Sequence, residues 1–263
     1  MNLITSVRST LFKIALYGFG LLMSITLAPG FLLLPERQVT NLVRFWGRAT
    51  VFLLRVVAGT KVEVRGAEHI PTGPALIAAK HQSMIETFAL LPLLPFPTYV
   101  MKAELKKVPF FGLYTITSGM IHVERDKGPT ALRGLVARAR EELAKGRQII
   151  IFPEGTRRPA GAPPEYQTGV ALLYKALDIP VVPVALNSVL FGARLSFRQY
   201  PGTVVVEFLP PIPAGLDSRT FLATLETSIE TASDRLLVEA DRAPQKPPFS
   251  DEARARVVEL EAK

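Results

Sequence analysis

The run QIIIF at 148–152 constrains the fold most. It lacks polar alternation, so it fits a strand covered on both faces, and such strands belong to parallel sheets packed between helices. ALIAA at 75–79 and VVPVAL at 181–186 share that character. Strand patterns also fall at 61–65, 98–102, 120–123 and 204–208, and helical patterns at 84–94, 130–145, 169–177 and about 217–240. The alternation predicts an α/β fold, a central mostly parallel sheet flanked by helices. Ligands of such sheets gather beyond the carboxyl ends of the strands. Polar clusters at those ends are therefore the candidate site.

A different pattern precedes the sheet. Residues 14–34 carry no charge. About 20 apolar residues span a ~30 Å hydrocarbon core, but Pro29-Gly30 interrupts this run, and 14–28 reaches only ~22 Å as helix. The first 60 residues hold six bases (Arg8, Lys13, Arg37, Arg44, Arg48, Arg55) and one acid, Glu36, so much of the chain's net charge of +8 sits here. Basic residues flank the apolar run on both sides and favour the cytoplasmic face. This predicts a membrane-associated helical hairpin, about 5–28 and 39–58, that enters and returns on one side; a single transmembrane anchor is the alternative. Arg44, Arg48 and Arg55 fall on one stripe, with Phe45, Trp46, Leu53, Val56 and Val57 mostly elsewhere around the helix, the pattern of an interfacial helix on anionic lipid. No A-x-A site follows the run closely, which disfavours a signal peptide. No nucleic-acid-binding module is recognisable, so no nucleic-acid partner is expected.

The chain has no cysteine, which excludes disulfide scaffolds, zinc-finger clusters and cysteine nucleophiles, and histidine chemistry is restricted to His69, His81 and His122. Lys80–Glu86 (KHQSMIE) follows the strand at 75–79. A histidine titrating near neutrality can take a proton from a hydroxyl, and a carboxylate can fix its tautomer. His81 and Glu86 meet only if His81 lies outside the helix. Ser83-x-x-Glu86 also reads as a capping box, in which Glu86 merely closes a helix start. Gly119–Asp126 (GMIHVERD) places Arg125 just after a strand, where a guanidinium can fork a phosphate, or form a surface pair with Asp126. His122 reads as a packed or surface histidine. Ile151–Arg158 (IFPEGTRR) empties a buried strand into Glu154, Gly155, Thr156 and Arg157, a set suited to oxyanions. Lys102 follows another strand and is a further phosphate candidate. The apolar VPFFGLY at 108–114 reads as an acyl groove wall or as core.

In order and spacing, these blocks resemble the glycerolipid acyltransferase family, specifically its 1-acyl-sn-glycerol-3-phosphate acyltransferases. That family shows H-x4-D, G-x-I-x-I-D-R, F-P-E-G-T-R and a V-P-V block; here stand His81…Glu86, Gly119–Arg125, Phe152–Arg157 and IPVVPVAL at 179–186. The likeness spans about 61–215, and the segment Lys102–Gly112 and the N-terminal hairpin fit it too. Two positions depart from the pattern, Glu86 and Glu124 standing where the family usually has aspartate. With the hairpin read over 1–60, the resemblance implies an acyltransferase domain over 61–243; the tail over 244–263 (APQKPP, then a charged stretch) reads from its composition as a linker and a short solvated helix or disorder. It implies transfer of a fatty acyl group from acyl-CoA or acyl carrier protein to the sn-2 hydroxyl of lysophosphatidic acid. His81 and Glu86 would be catalytic. Lys102, Arg125, Glu154, Gly155, Thr156 and Arg157 would bind substrate, with membrane lipid as a partner and neither metal nor cofactor. The expected location is the cytoplasmic side of a bacterial inner membrane. The alternatives are acylation of another lysolipid or of glycerol 3-phosphate, and a non-catalytic lipid-binding relative.

Overall fold

The computed structural model describes residues 3–109, 111–124, 128–192, 194 and 198–262, without the side chains of 27–31. Its strands are β1 (Thr60–Arg65), β2 (Ala75–Ala79), β3 (Pro97–Lys102), β4 (Ile121–Val123), β5 (Gln148–Ile151), β6 (Val181–Leu186) and β7 (Gly202–Phe208). They form one seven-stranded sheet in the order β1-β7-β6-β2-β5-β3-β4. β2 lies between β5 and β6, parallel to both, and β3 pairs in parallel with β5 and β4. The β6–β7 pairing is antiparallel, so β7 and its parallel neighbour β1 run against the rest. The carboxyl ends of β2 through β6 therefore lie along one edge. Every residue of β2, β5 and β6 is buried, as their apolar runs require.

The helices are α1 (Leu3–Leu33), α2 (Glu36–Leu53), α3 (Ile85–Ala89), α4 (Phe111–Thr117), α5 (Gly128–Ala144), α6 (Thr168–Leu177), α7 (Ser218–Arg242) and α8 (Asp251–Glu261). The pleat of β2 divides the core. Ile77 and Ala79 face a layer with Phe12, Val43, Leu54 and Phe88, while Leu76 and Ala78 face Leu135, Leu173 and Phe221. The expected α/β architecture is thus observed. The segment at 108–114 contributes to α4, a helix its apolar letters did not announce. The tail holds α8, capped by the Ser250 hydroxyl and packed through Ala253 and Val257.

The N-terminal helices differ from expectation in where they turn. α1 continues through 29–30 to Leu33, and the chain reverses at Leu34-Pro35, Pro35 being extended at φ −57°, ψ 146°. An interior proline removes one helical hydrogen bond without forbidding the turns beyond it. α2 runs on through a π turn, Leu54–Ala58. α1 is docked on the domain: Phe12 and Leu16 are buried, Arg8 Nε donates to the Val57 carbonyl at 2.7 Å, and Gln199 N–H donates to Ser9 Oγ at 3.0 Å. Its other face exposes Ile4, Val7, Leu11, Ile14, Tyr17, Leu21 and Ile25 at three- and four-residue steps. Among the described residues one helical stretch, Leu3–Thr26, is long and apolar enough to cross a membrane. On α2, Phe45 and Phe52 are exposed beside Arg48 and Arg55, whereas Trp46 turns inward, edge-on to Phe88 at 6.4 Å.

Arg147, fully buried at the start of β5, fastens α2 to the sheet. It donates to Glu36 of α2, to Glu142 of α5 at 3.1 Å, and to the carbonyls of Pro97 and Ser118 at 2.7 and 2.8 Å, with its guanidinium 4.3 Å from the Phe96 ring centroid. Gly119, at φ +70°, makes room: a Cβ there would meet Glu36 Oε1. Removing one partner from a buried charge cluster costs about 3–5 kcal/mol. Lys145 still faces Glu36 and Glu142 at 2.8 and 3.0 Å. Arg147→Met is therefore expected to lower the unfolding free energy by about 3 kcal/mol, read from urea denaturation of the detergent-solubilised protein. A loss under about 1 kcal/mol would show that the cluster does not hold α2 in place.

Candidate active site

Two loops at neighbouring strand ends build the site. After β2, Lys80 N–H still donates to the Val184 carbonyl at 2.9 Å, so the ladder extends one residue and sends the Lys80 and His81 side chains to opposite faces. α3 begins at Ile85, which leaves His81 outside the helix, the condition for reaching Glu86. Glu86 Oε1 accepts from His81 Nδ1–H at 2.9 Å, Gln82 N–H at 2.6 Å and Ser83 N–H at 2.7 Å. Oε2 accepts from the Ser188 hydroxyl at 2.6 Å and lies 2.9 Å from the Ser83 hydroxyl. Ser83 Oγ also accepts Ile85 N–H at 3.0 Å. Half of the capping box is thus present, Glu86 closing back on the Ser83 N–H with the same oxygen that meets the imidazole, while Ser83 Oγ takes the Ile85 N–H instead of that of Glu86.

Glu86 is fully buried. Burial alone pushes its carboxyl up, but the hydrogen bond and charge of His81, then the Ser188 hydroxyl, outweigh it and hold the carboxyl below the usual carboxylate range. A carboxylate oxygen accepts, so Nδ1 carries a proton on this contact and Nε2 points away from the acid. The imidazole stacks on Phe152, centroids 4.0 Å apart and planes 15° apart, and Tyr99 stacks behind at 5.8 Å.

Phe152 opens the second loop. Gly155, at φ +68°, donates its N–H to the Phe152 carbonyl at 2.9 Å, making a tight turn, and Arg158 N–H donates to the His81 carbonyl at 2.8 Å, tying the loops together. Glu154 is buried, with Lys80 Nζ at 3.2 Å. Lys80 also donates to Glu230 of α7 at 2.6 Å, and the Tyr166 hydroxyl donates to the same oxygen at 2.8 Å. Burial, then the Glu230 charge, push the Glu154 carboxyl up against the pull of Lys80. Thr156 is exposed, and half-buried Arg157 donates to the Arg194 carbonyl at 3.3 Å and lies within electrostatic reach of Tyr17 on α1. Lys102 is exposed where β3 ends, two strands from β2. Arg125 lies outside the described residues. His122 bonds to Thr115 Oγ1 at 3.1 Å, and burial, then Lys106, push it down to about 4, so it is neutral at pH 7 and packs against α4. Among the described residues no cluster of three metal-ligating side chains occurs.

The structure thus unites His81, Glu86, Glu154 and Gly155. It adds Phe152, Ser188 and the Lys80–Glu230 tie, which the sequence reading gave no role. An apolar cavity of about 350 Å³ opens beside the dyad loop, lined by Leu16 and Met23 of α1, Val43 and Trp46 of α2, Met84, and Tyr114 of α4.

A family model described as Acyltransferase matches residues 61–187. A 1-acyl-sn-glycerol-3-phosphate acyltransferase of Pseudomonas aeruginosa is 33% identical over 250 residues, 94% of this chain and 96% of that protein. This chain belongs to the 1-acyl-sn-glycerol-3-phosphate acyltransferase family. It is an O-acyltransferase. The human 1-acyl-sn-glycerol-3-phosphate acyltransferase alpha is 28% identical over 205 residues, 77% of this chain and 72% of that one. The crystal structure of the 1-acyl-sn-glycerophosphate acyltransferase from Thermotoga maritima shares the fold, with TM-score 0.66 and 21% identity over 89% of this chain and 96% of that chain.

For this acyltransferase the Glu86 environment has a consequence for stability. A carboxyl depressed on folding adds stability above its unfolded value, ~4.3, that is lost as pH falls through the folded value. Glu86→Gln lacks that contribution. The gap in urea-unfolding free energy between wild type and Glu86→Gln is expected to be widest above pH ~5 and to narrow steadily toward pH ~3. A gap independent of pH would mean that folding does not shift the Glu86 carboxyl, and a gap that shrank as pH rose would mean that the fold holds it neutral.

Proposed function

We propose that the chain transfers a fatty acyl group from an acyl thioester to the sn-2 hydroxyl of lysophosphatidic acid, forming phosphatidic acid at a membrane surface. The observation that carries this reading is the 2.9 Å contact between His81 Nδ1 and the buried Glu86 carboxylate, an orientation in which Nε2 can serve as the base. Nε2 takes the sn-2 hydroxyl proton, the alkoxide oxygen attacks the thioester carbonyl, and the tetrahedral intermediate collapses with loss of the thiolate. The imidazolium, stabilised by Glu86, returns its proton to that thiolate, so no acyl-enzyme is formed. Lys102, Arg125, Thr156 and Arg157 hold the acceptor phosphate or the developing oxyanion, the charge-assisted contacts such anions require. Gly155 shapes the turn that presents Thr156 and Arg157. Glu154, held by Lys80, orders that loop.

The apolar cavity beside Met84 suits a fatty chain. The exposed apolar stripe of α1 and the Phe45, Arg48, Phe52 and Arg55 face of α2 suit partial burial in an anionic leaflet. The basic flanks of the apolar run support a location on the cytoplasmic side of a bacterial inner membrane.

The test is turnover by purified protein with acyl-CoA and acyl carrier protein as donors, against lysophosphatidic acid, glycerol 3-phosphate and phosphate-free lysolipids. Thiol release with lysophosphatidic acid alone among the acceptors is expected; preference for another acceptor replaces the substrate assignment, and no release with any acceptor leaves a lipid-binding relative. His81→Ala should lower kcat at least ~10²-fold. Arg157→Ala should raise KM for the acceptor more than for the donor, and the reverse would reassign it to the donor. Phe45→Ser with Phe52→Ser should weaken flotation with anionic vesicles while leaving turnover on detergent-dispersed substrate intact. Unchanged flotation would remove α2 from the membrane contact.

A further inference from the structure

The catalytic reading assigns work to one oxygen of Glu86. The other, Oε2, faces Ser188, which follows β6 and Asn187 and is 102 residues from Glu86 in the chain. Both side chains are fully buried, and the Ser188 hydroxyl donates to Oε2 at 2.6 Å. Ser83 Oγ lies 3.0 Å from Ser188 Oγ and 2.9 Å from Oε2, so its single proton serves one of them at a time. The hydroxyl of Ser188 is thus the contact that ties the Glu86 carboxylate to the neighbouring strand. Among the described residues, the other donors to it belong to its own short segment, residues 81–83 and the Glu86 backbone.

A glutamate reaches one methylene further than an aspartate and has one more torsion, with a broad, two-fold terminal rotation. Three donors on Oε1 fix that oxygen's place, but the carboxylate plane can turn about it whenever the Ser83 proton goes to Ser188 Oγ instead of Oε2. A donor on Oε2 from a second, rigid segment stops the turn. Ser188 is held rigidly: its neighbour Asn187 accepts from Val205 N–H of β7 at 2.8 Å, and β6 is paired with β2, whose end carries His81.

We propose that Ser188 is a positioning residue for catalysis, which locks the Glu86 carboxylate in the plane that holds the His81 imidazole in its proton-accepting orientation. The inference rests on the reading of His81 and Glu86 as the catalytic pair. A hydrogen bond to a buried ionised group governs rate changes of roughly tenfold or more.

The experiment is a double-mutant cycle in full-length protein, with kcat and both KM values measured on lysophosphatidic acid and acyl-CoA. Ser188→Ala is expected to lower kcat about tenfold with both KM values within about twofold. Ser188→Thr, which keeps the hydroxyl, restores most of that loss. In the Glu86→Gln background, Ser188→Ala costs less than about twofold more, because the group it positions has gone. An equal loss in both backgrounds, or wild-type kcat in Ser188→Ala, overturns the proposal while leaving the dyad standing. Wild-type kcat in Glu86→Gln alone overturns the dyad itself. Circular dichroism and thermal midpoints of all variants separate misfolding from mispositioning: a Ser188→Ala protein that keeps the wild-type midpoint and loses kcat supports the positioning role, and recovery of kcat on cooling an unstable variant counts against it.

Discussion

A carboxylate with no access to water must be met by donors on both oxygens, or it does not stay ionised. Glu86 meets that demand with two backbone N–H groups, an imidazole and two hydroxyls. Most of the site follows from this. The loop at 81–83 must curl around the carboxylate, α3 must start at Ile85, and the end of β6 must stand beside the end of β2. The sheet order supplies that last condition, because β6 and β5 flank β2 in parallel. Strand parallelism is thus what delivers Ser188 from one side to the Glu86 carboxylate and Phe152 from the other to the imidazole.

The strand end also divides labour between consecutive residues. His81 turns to the face covered by α1, α2 and α4, where the apolar cavity lies. Lys80 turns to the face covered by α7, where Glu154, Glu230 and Tyr166 enclose it. A buried ammonium between two carboxylates gives little net stability but fixes geometry, since removal of any member strands a charge. What it fixes is the Phe152–Arg158 loop, whose first ring supports the imidazole and whose last N–H holds the His81 carbonyl. One face therefore carries the chemistry and the other the bracing, with a single peptide unit between them.

How far the letters disclosed this depends on the range of the interaction. QIIIF, ALIAA and VVPVAL were legible as covered strands because burial on both faces leaves no polar position, and the strand order then brought their polar ends together. The His81–Glu86 pair was legible because the two stand five residues apart, one on the loop after β2 and the other in the first turn of α3. Ser188 was not, since a serine after a strand is an ordinary turn residue until its partner across the sheet is known. Lys80 was hidden for the same reason: its partners sit on a loop and a helix far along the chain. The turn of the hairpin was misplaced because Pro29-Gly30 is a strong local breaker signal. Docking of α1 on Gln199, on Val57 and on the core through Phe12 and Leu16 is tertiary and overrides it.

That docking matters for how an amphiphile reaches the dyad. A helix that only tethered the domain would be indifferent to its orientation, but α1 buries one face against the protein and supplies Leu16 and Met23 to the cavity, while its opposite face exposes an apolar stripe. On the membrane reading proposed above, the same helix separates the leaflet from the cavity and is the shortest path between them. A lysolipid tail then passes from hydrocarbon to an apolar pocket without crossing water, which would cost about 0.8 kcal/mol for each methylene exposed. Its polar end is drawn toward the loop of Thr156 and Arg157, and Tyr17 of α1, near Arg157, marks where the apolar and cationic surfaces meet. On that reading the hydroxyl to be acylated, set between tail and phosphate, is presented to His81, whose loop lends Met84 to the cavity and whose carbonyl is held by the Arg158 N–H of the basic loop.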